Sequence, residues 1–237
     1  MTDAPESLDD MVRAADPDRW LSTRFIADEQ ARADVTALYA LNVELARVAT
    51  TVREPMMGEI RLTWWREAFE HMAAGQPARR HPVIQALGGF DPAALEALPQ
   101  GRLADLDAEP FADDEAVLAY LDGTAGALMA LAADRLDSAA SFPQVRGAAR
   151  AFGLAGLWRT KQAGGRSRLP PDWTAGDVRA RVAAELTAAR AELKRLPVAA
   201  FPAVAYAALA RPYSRGASLG EIRKRVRLTV AVLRGRI

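Results

Sequence analysis

The sequence predicts an all-α fold. Three observations carry that reading: apolar residues recur at alternating spacings of three and four along most of the chain, β-branched residues are scattered, and no hairpin dipeptide sits between alternating runs. Val35, Leu38, Asn42, Leu45, Ala49 and Val52 form one face of a first long helix. Met57, Arg61, Trp64, Trp65, Ala68 and Met72 share a face of a second. From Gly75 to Pro110, five prolines (Pro77, Pro82, Pro92, Pro99 and Pro110) forbid a long element, so short helices and turns are expected. Between Asp113 and Leu136 the polar residues gather at the ends. The stretch Gly123 to Ala133 carries no charge, which predicts a helix buried on every side, with Gly123, Ala125, Gly126 and Ala127 admitting close neighbours. Val145, Ala149, Phe152 and Gly156 mark another helix, stopped by Gly164 and Gly165. Thr174 with Asp177 reads as a capping box, followed by Val178, Val182, Leu186, Ala189, Leu193 and Leu196 at helical spacing. Ser218 with Glu221 reads the same way, opening a last helix through Ile222, Val226, Thr229 and Leu233. The expectation is eight to ten helices bundled in a single domain over residues 1–237.

Composition narrows the chemistry. The chain has 237 residues, half of them apolar, enough to close one globular core. Thirty-one basic residues against 30 acidic ones leave a net charge of +1, so no global field selects nucleic acid. The absence of cysteine excludes a disulfide scaffold, a thiol nucleophile and a thiolate zinc site. His71 and His81 have no ligand spacing and read as ordinary polar residues. The longest uncharged run, Leu196 to Ala210, is too short to cross a bilayer and contains Pro197 and Pro202. Met1 to Asp10 holds four acids and no apolar core, so no signal peptide is expected and the protein is placed in the cytoplasm. Twenty-eight arginines against three lysines point to a GC-rich bacterial source.

Charge is unevenly spread. Gln100 to Asp137 holds nine acids and two arginines, a local −7, whereas Arg211 to Ile237 holds seven Arg, one Lys and one Glu, a local +7. The terminal helix is therefore cationic and amphipathic, suited to the inner face of an anionic membrane or to an acidic partner. Packing with solvated charges is the plainer alternative.

Four segments, in order, resemble the squalene/phytoene synthase family over roughly residues 16 to 215: Leu38-Tyr39-Ala40-Leu41; Arg61-Leu62 with Trp65-Arg66; Tyr120 ahead of Thr124-Ala125-Gly126; and Gly165-Arg166 followed by Leu169-Pro170. The resemblance implies an isoprenoid synthase bundle around a central cavity, in which two allylic diphosphates are joined head to head. It also implies two aspartate-rich motifs holding Mg²⁺ against the departing diphosphate. Those motifs are missing. The first set of aspartate positions falls on Ala46, Arg47 and Thr50, and the second stretch, Gly153 to Gly164, contains no acid and is shorter than the family pattern. Scaffold without acids is similar to the catalytically degenerate branch that includes the mitochondrial complex I assembly factor. Arg53-Glu54-Pro55, Arg61 to Arg66 and Glu44-Leu45-Ala46-Arg47 carry that likeness.

The resemblance therefore implies a non-catalytic homologue with no catalytic residue and no metal, acting on a protein partner such as a respiratory-complex subunit or on a prenyl or phospholipid ligand. One competing reading is an active prenyltransferase using Mg²⁺ held by Glu44 and Asp122. Another is a metal-free carrier of isoprenoid or phospholipid. The candidate cavity or anion-binding residues are Tyr39, Asn42, Glu44, Arg61, Trp65, Arg159, Lys161 and Arg166. Each has a plainer reading. Asn42 in an apolar stripe needs a hydrogen-bond partner from a neighbouring helix, and Glu44 suits a solvated ion pair. Arg61 and Trp65, four apart, allow the guanidinium to lie over the indole. Tyr39 suits a buried ring. Arg159, Lys161, Arg166 and Arg168 cluster around two glycines whose amides can face an anion, or form an ordinary solvated loop.

Overall fold

The computed structural model describes residues 7–237, and every regular element among them is helical. The chain divides into two compact units, Met1–Asp107 and Ala108–Ile237. The first contains α1 (Leu8–Ala15), α2 (Pro17–Thr23), α3 (Glu29–Thr51), α4 (Pro55–Ala73), α5 (Pro82–Gln85), α6 (Pro92–Leu95) and α7 (Ala97–Arg102), then a 3₁₀ turn at Leu103–Leu106. The second contains α8 (Asp114–Leu121), a π turn at Asp122–Gly126, α9 (Ala127–Leu136), α10 (Phe142–Gln162), α11 (Ala175–Leu193), 3₁₀ segments at Val198–Ala203 and Ala205–Leu209, α12 (Ala210–Ser214) and α13 (Glu221–Arg234). The described residues hold thirteen α-helices, more than the eight to ten expected; nine have seven or more residues, and three of the four shorter ones fall in the proline-rich stretch, where short helices are expected.

In the first unit α3 is the axis. Asp28 accepts the Ala31 amide at 2.7 Å and starts it. The stripe Val35, Leu38 and Leu45 is buried as predicted, but so are Tyr39, Ala40, Leu41 and Val43, because α1, α2, α4, α5 and α7 all pack on this helix. Val52, predicted as the last member of the face, lies beyond the helix as an extended cap.

In the second unit α10 is the axis and α11 its main neighbour. Val145, Ala148, Ala149, Ala151, Leu154 and Ala155 are fully buried, and these mostly small side chains let backbones approach. A Cβ on Gly147 would lie 2.9 Å from the Glu185 carbonyl and 3.1 Å from the Ala189 amide nitrogen, so the crossing depends on that glycine. Ser141 and Gln144 form a capping box at the start of α10, which the sequence reading did not pick out. At its end, where the glycine pair predicts the stop, Gly164 takes φ +72°; its amide reaches the Lys161 carbonyl while that of Gly165 reaches Thr160, a Schellman arrangement.

The Thr174–Asp177 box forms: the Asp177 amide donates to Thr174 Oγ1 at 3.2 Å and the Thr174 amide donates back at 2.8 Å. The Ser218–Glu221 box does not. Helix α13 starts two residues later, with Gly220 as N-cap and no side-chain cap, and Glu221 instead pairs with Lys224 at 3.6 Å. The predicted helix around Gly123 to Ala133 is present but only partly enclosed, since Leu131 keeps some exposure while Leu128, Met129, Ala132 and Ala133 are buried. By length and composition the run Asp114–Leu136 is apolar enough to cross a membrane, yet half of its apolar window is buried inside the protein. The uncharged stretch after Leu196 forms the two 3₁₀ segments, with Ala200, Ala205, Tyr206 and Ala207 wholly buried.

Candidate functional site

Helices α3 and α4 of the first unit enclose a groove of about 320 Å³. The last two turns of α3 contribute Glu44, Arg47 and Thr51; α4 contributes Arg61, Trp64 and Trp65, and His81 closes the groove just before α5. Three of the residues singled out from sequence, Glu44, Arg61 and Trp65, therefore share one surface. Arg61 does not stack on Trp65. Its Nη1 donates to Thr51 Oγ1 at 2.8 Å, because the turn between α3 and α4 brings that hydroxyl within reach. The guanidinium over an indole here belongs to Arg79, 5.0 Å above Trp64 and held by Glu67 at 2.9 Å. Trp65 is buried, edge-on to Trp64 at 5.2 Å and to His81 at 4.9 Å. Between these rings the His81 Nδ1 is buried without a hydrogen-bond partner. Sequence gave His81 no role, since neither its spacing nor its neighbours along the chain bring it to the tryptophans.

Glu44 pairs loosely with Arg47 at 3.7 Å. Two guanidinium groups, one carboxylate and an aromatic wall suit a small amphipathic anion better than a bare cation. Tyr39 and Asn42 are not part of this groove. Tyr39 is fully buried in the core, with the Arg19 guanidinium 6.0 Å from its ring. Asn42 accepts from Arg102 at 2.8 Å, and Arg102 also pairs with Asp105 at 3.1 Å, so the polar group in the apolar stripe is satisfied from α7. Arg66 forms a surface pair with Glu70 at 3.3 Å.

In the second unit the basic cluster disperses. Arg159 lies over Tyr213 at 4.1 Å and lines a second groove of about 320 Å³ with Gln162, Gly216 and Lys224. Lys161 turns to Trp158 at 5.8 Å. Arg168 covers Phe111 at 4.2 Å and donates to the Glu109 carbonyl at 2.7 Å. Arg166 is exposed in the turn. Of the four cations, Arg159 alone lines that groove.

The other candidate acid, Asp122, is committed elsewhere. Asp122, in the π turn, receives a bidentate pair from Arg150 at 2.7 and 2.6 Å, and Glu185 approaches the same guanidinium at 3.7 Å. This triad is half-buried. Burial pushes the Glu185 carboxyl above its ordinary value against the pull of Arg150, and the hydrogen bond to Asp122 raises Arg150. On α3, Thr50 donates to its own helix at the Arg47 carbonyl, 2.9 Å away. Among the described residues no group of three or more His, Asp or Glu side chains is arranged to hold a metal ion. These side chains do not fit a magnesium cluster, which needs several converging carboxylate oxygens.

A family model for squalene/phytoene synthase matches residues 12–234. The structure is similar to a crystal structure of a dehydrosqualene synthase in complex with ligand, at TM-score 0.70 and 15% identity, covering 96% of this chain and 94% of that one. No curated protein sequence matches. The structural likeness extends the all-helical architecture over nearly the whole chain.

Proposed function

Because the chain belongs to the squalene/phytoene synthase family, we propose that it is a non-catalytic member of it, a helical scaffold that binds a protein partner or a lipid rather than joining prenyl diphosphates. One observation carries the reading: where the resemblance expects carboxylates, this chain has Ala46, Arg47 and Thr50, and an acid-free stretch from Gly153 to Gly164. Breaking the carbon–oxygen bond of a prenyl diphosphate releases a multiply charged anion, and divalent cations are what stabilise it. A cation beside the C-terminal turns of α3 would face Arg47 instead of a ligand. The two acids that a working synthase could substitute, Glu44 and Asp122, already pair with Arg47 and Arg150.

Such a scaffold needs a stable bundle and a shaped surface. The groove at Arg61 and Trp65 supplies a place for a prenyl or phospholipid ligand without metal. The partner class, a respiratory-complex subunit, follows the sequence likeness to the assembly-factor branch. A metal-free carrier of isoprenoid or phospholipid is the second reading, favoured by the groove that Arg159 shares with Lys224.

Calorimetry with farnesyl diphosphate, with and without Mg²⁺, tests the proposal, alongside product analysis. The expected outcome is no turnover and no gain in affinity on adding the metal. Metal-dependent binding with formation of a joined prenyl product overturns it. Metal-independent binding that weakens in Arg159→Ala selects the carrier over the scaffold.

A further inference from the structure

Helix α13 carries two apolar faces, and only one of them is used. Leu228 and Ala231 are buried, at 0% and 3% exposure, where the helix packs on the Ala205–Leu209 segment. Ile222, Val226, Val230 and Leu233 are exposed by 79%, 56%, 39% and 80%, half of the large apolar side chains that stand out in solvent among the described residues. At 100° per residue these four fall within an arc of about 80°, forming a single ridge along the helix. Arg223, Arg227 and Arg234 border the ridge on one side and Arg225 on the other, all exposed. None of these arginines has an acidic partner among the described residues, and the one acid of the helix, Glu221, pairs with Lys224.

We infer that α13 docks the protein on an anionic lipid surface, with the ridge in the acyl boundary and the flanking arginines at headgroup phosphates. The occupant of this face must be apolar along a line and negative on both sides of it. A bilayer containing acidic lipids supplies that pattern at every orientation about its normal, whereas a protein partner would need a groove lined by two parallel rows of acids. The helix is about 21 Å long, and its buried side fixes it to the unit, so the ridge is presented ready-made and no coil-to-helix ordering is required on docking. This inference is independent of whether the chain turns over a diphosphate, and its test contains none.

Flotation of the full chain with vesicles tests it. The wild type is expected to float with equimolar phosphatidylglycerol and phosphatidylcholine but not with phosphatidylcholine alone. Ile222→Ser with Leu233→Ser, and separately Arg225→Gln with Arg227→Gln, are each expected to weaken partition by roughly tenfold. These side chains are solvent-exposed, and unchanged circular dichroism confirms that the variants fold. Raising salt from about 0.1 to about 0.5 M is expected to weaken wild-type binding, since the arginine contribution is screened. Failure of the wild type to float with the anionic vesicles overturns the inference, as does equal flotation of both variants. So does a concentration-dependent dimer that Leu233→Ser dissolves while vesicles are ignored, because a second copy would then cover the ridge.

Discussion

Glu185 shows how one carboxyl records its surroundings. It sits beside Arg150 and close to Asp122, and burial raises it above its ordinary value of 4.5. The folded protein thus holds the Glu185 proton more tightly than the unfolded chain does. Its contribution to stability is present at low pH and declines as pH rises from 4.5 through the raised folded value. Glu185→Gln keeps the shape and removes the titration. The thermal midpoint of the variant relative to wild type is expected to climb across that window and level off above it, as measured by melting curves over a pH series. Asp177 behaves in the opposite sense: the hydroxyl and amide of Thr174 lower it, so its contribution fades only as acid takes pH below 3.8. The neighbours that decide such residues are remote in sequence. Asn42 visibly needed a partner, but nothing near it named Arg102, sixty positions away. Periodicity put Arg61 within reach of Trp65, and the hydroxyl of Thr51, supplied by a tight turn, took it instead.

At the scale of elements, α10 contains glycines of opposite worth. Gly147 touches the α11 backbone, and Gly147→Ala is expected to cost about 1–3 kcal/mol by forcing the crossing apart. Gly156 has open space where a Cβ would go, and Gly156→Ala is expected to stabilise by about 0.5–1 kcal/mol through helix propensity. Chemical denaturation of the two variants measures both signs. The long helices were legible because a 3.6-residue period survives over many turns, as in Val178, Val182, Leu186 and Leu193 of α11. Short-range signals were less dependable. Thr174 and Ser218 are followed by acids at the same spacing, yet only the former caps, because α13 begins after Gly220. The segment Val198–Leu209 gave no periodic signal, since Pro202 breaks an α pattern and a 3₁₀ chain repeats every three residues. It still holds some of the most deeply buried side chains of its unit, Tyr206 among them.

For the whole molecule, 31 basic and 30 acidic residues place the isoelectric point near 8.1. Solubility is expected to be lowest near pH 8.1 and to recover on either side, which turbidity across a buffer series checks. That near-neutral total hides the excess of arginine after Arg211, so the average charge is a poor guide to what the last helix meets. The architecture followed from periodicity and from four short motifs. The groove at Trp65 did not, because it depends on where His81 lands once the chain has turned back on α4. One further result comes from the widened turn between α8 and α9. A turn of i→i+5 bonds takes one residue more than its neighbours while the rod stays continuous. Any straight template laid in step with Leu121 is then out of phase by about 100° at Leu128. The π turn thus sets which side of α9 faces inward: without the extra residue, the buried face of Leu128, Met129, Ala132 and Ala133 would be turned by about 100° about the helix axis.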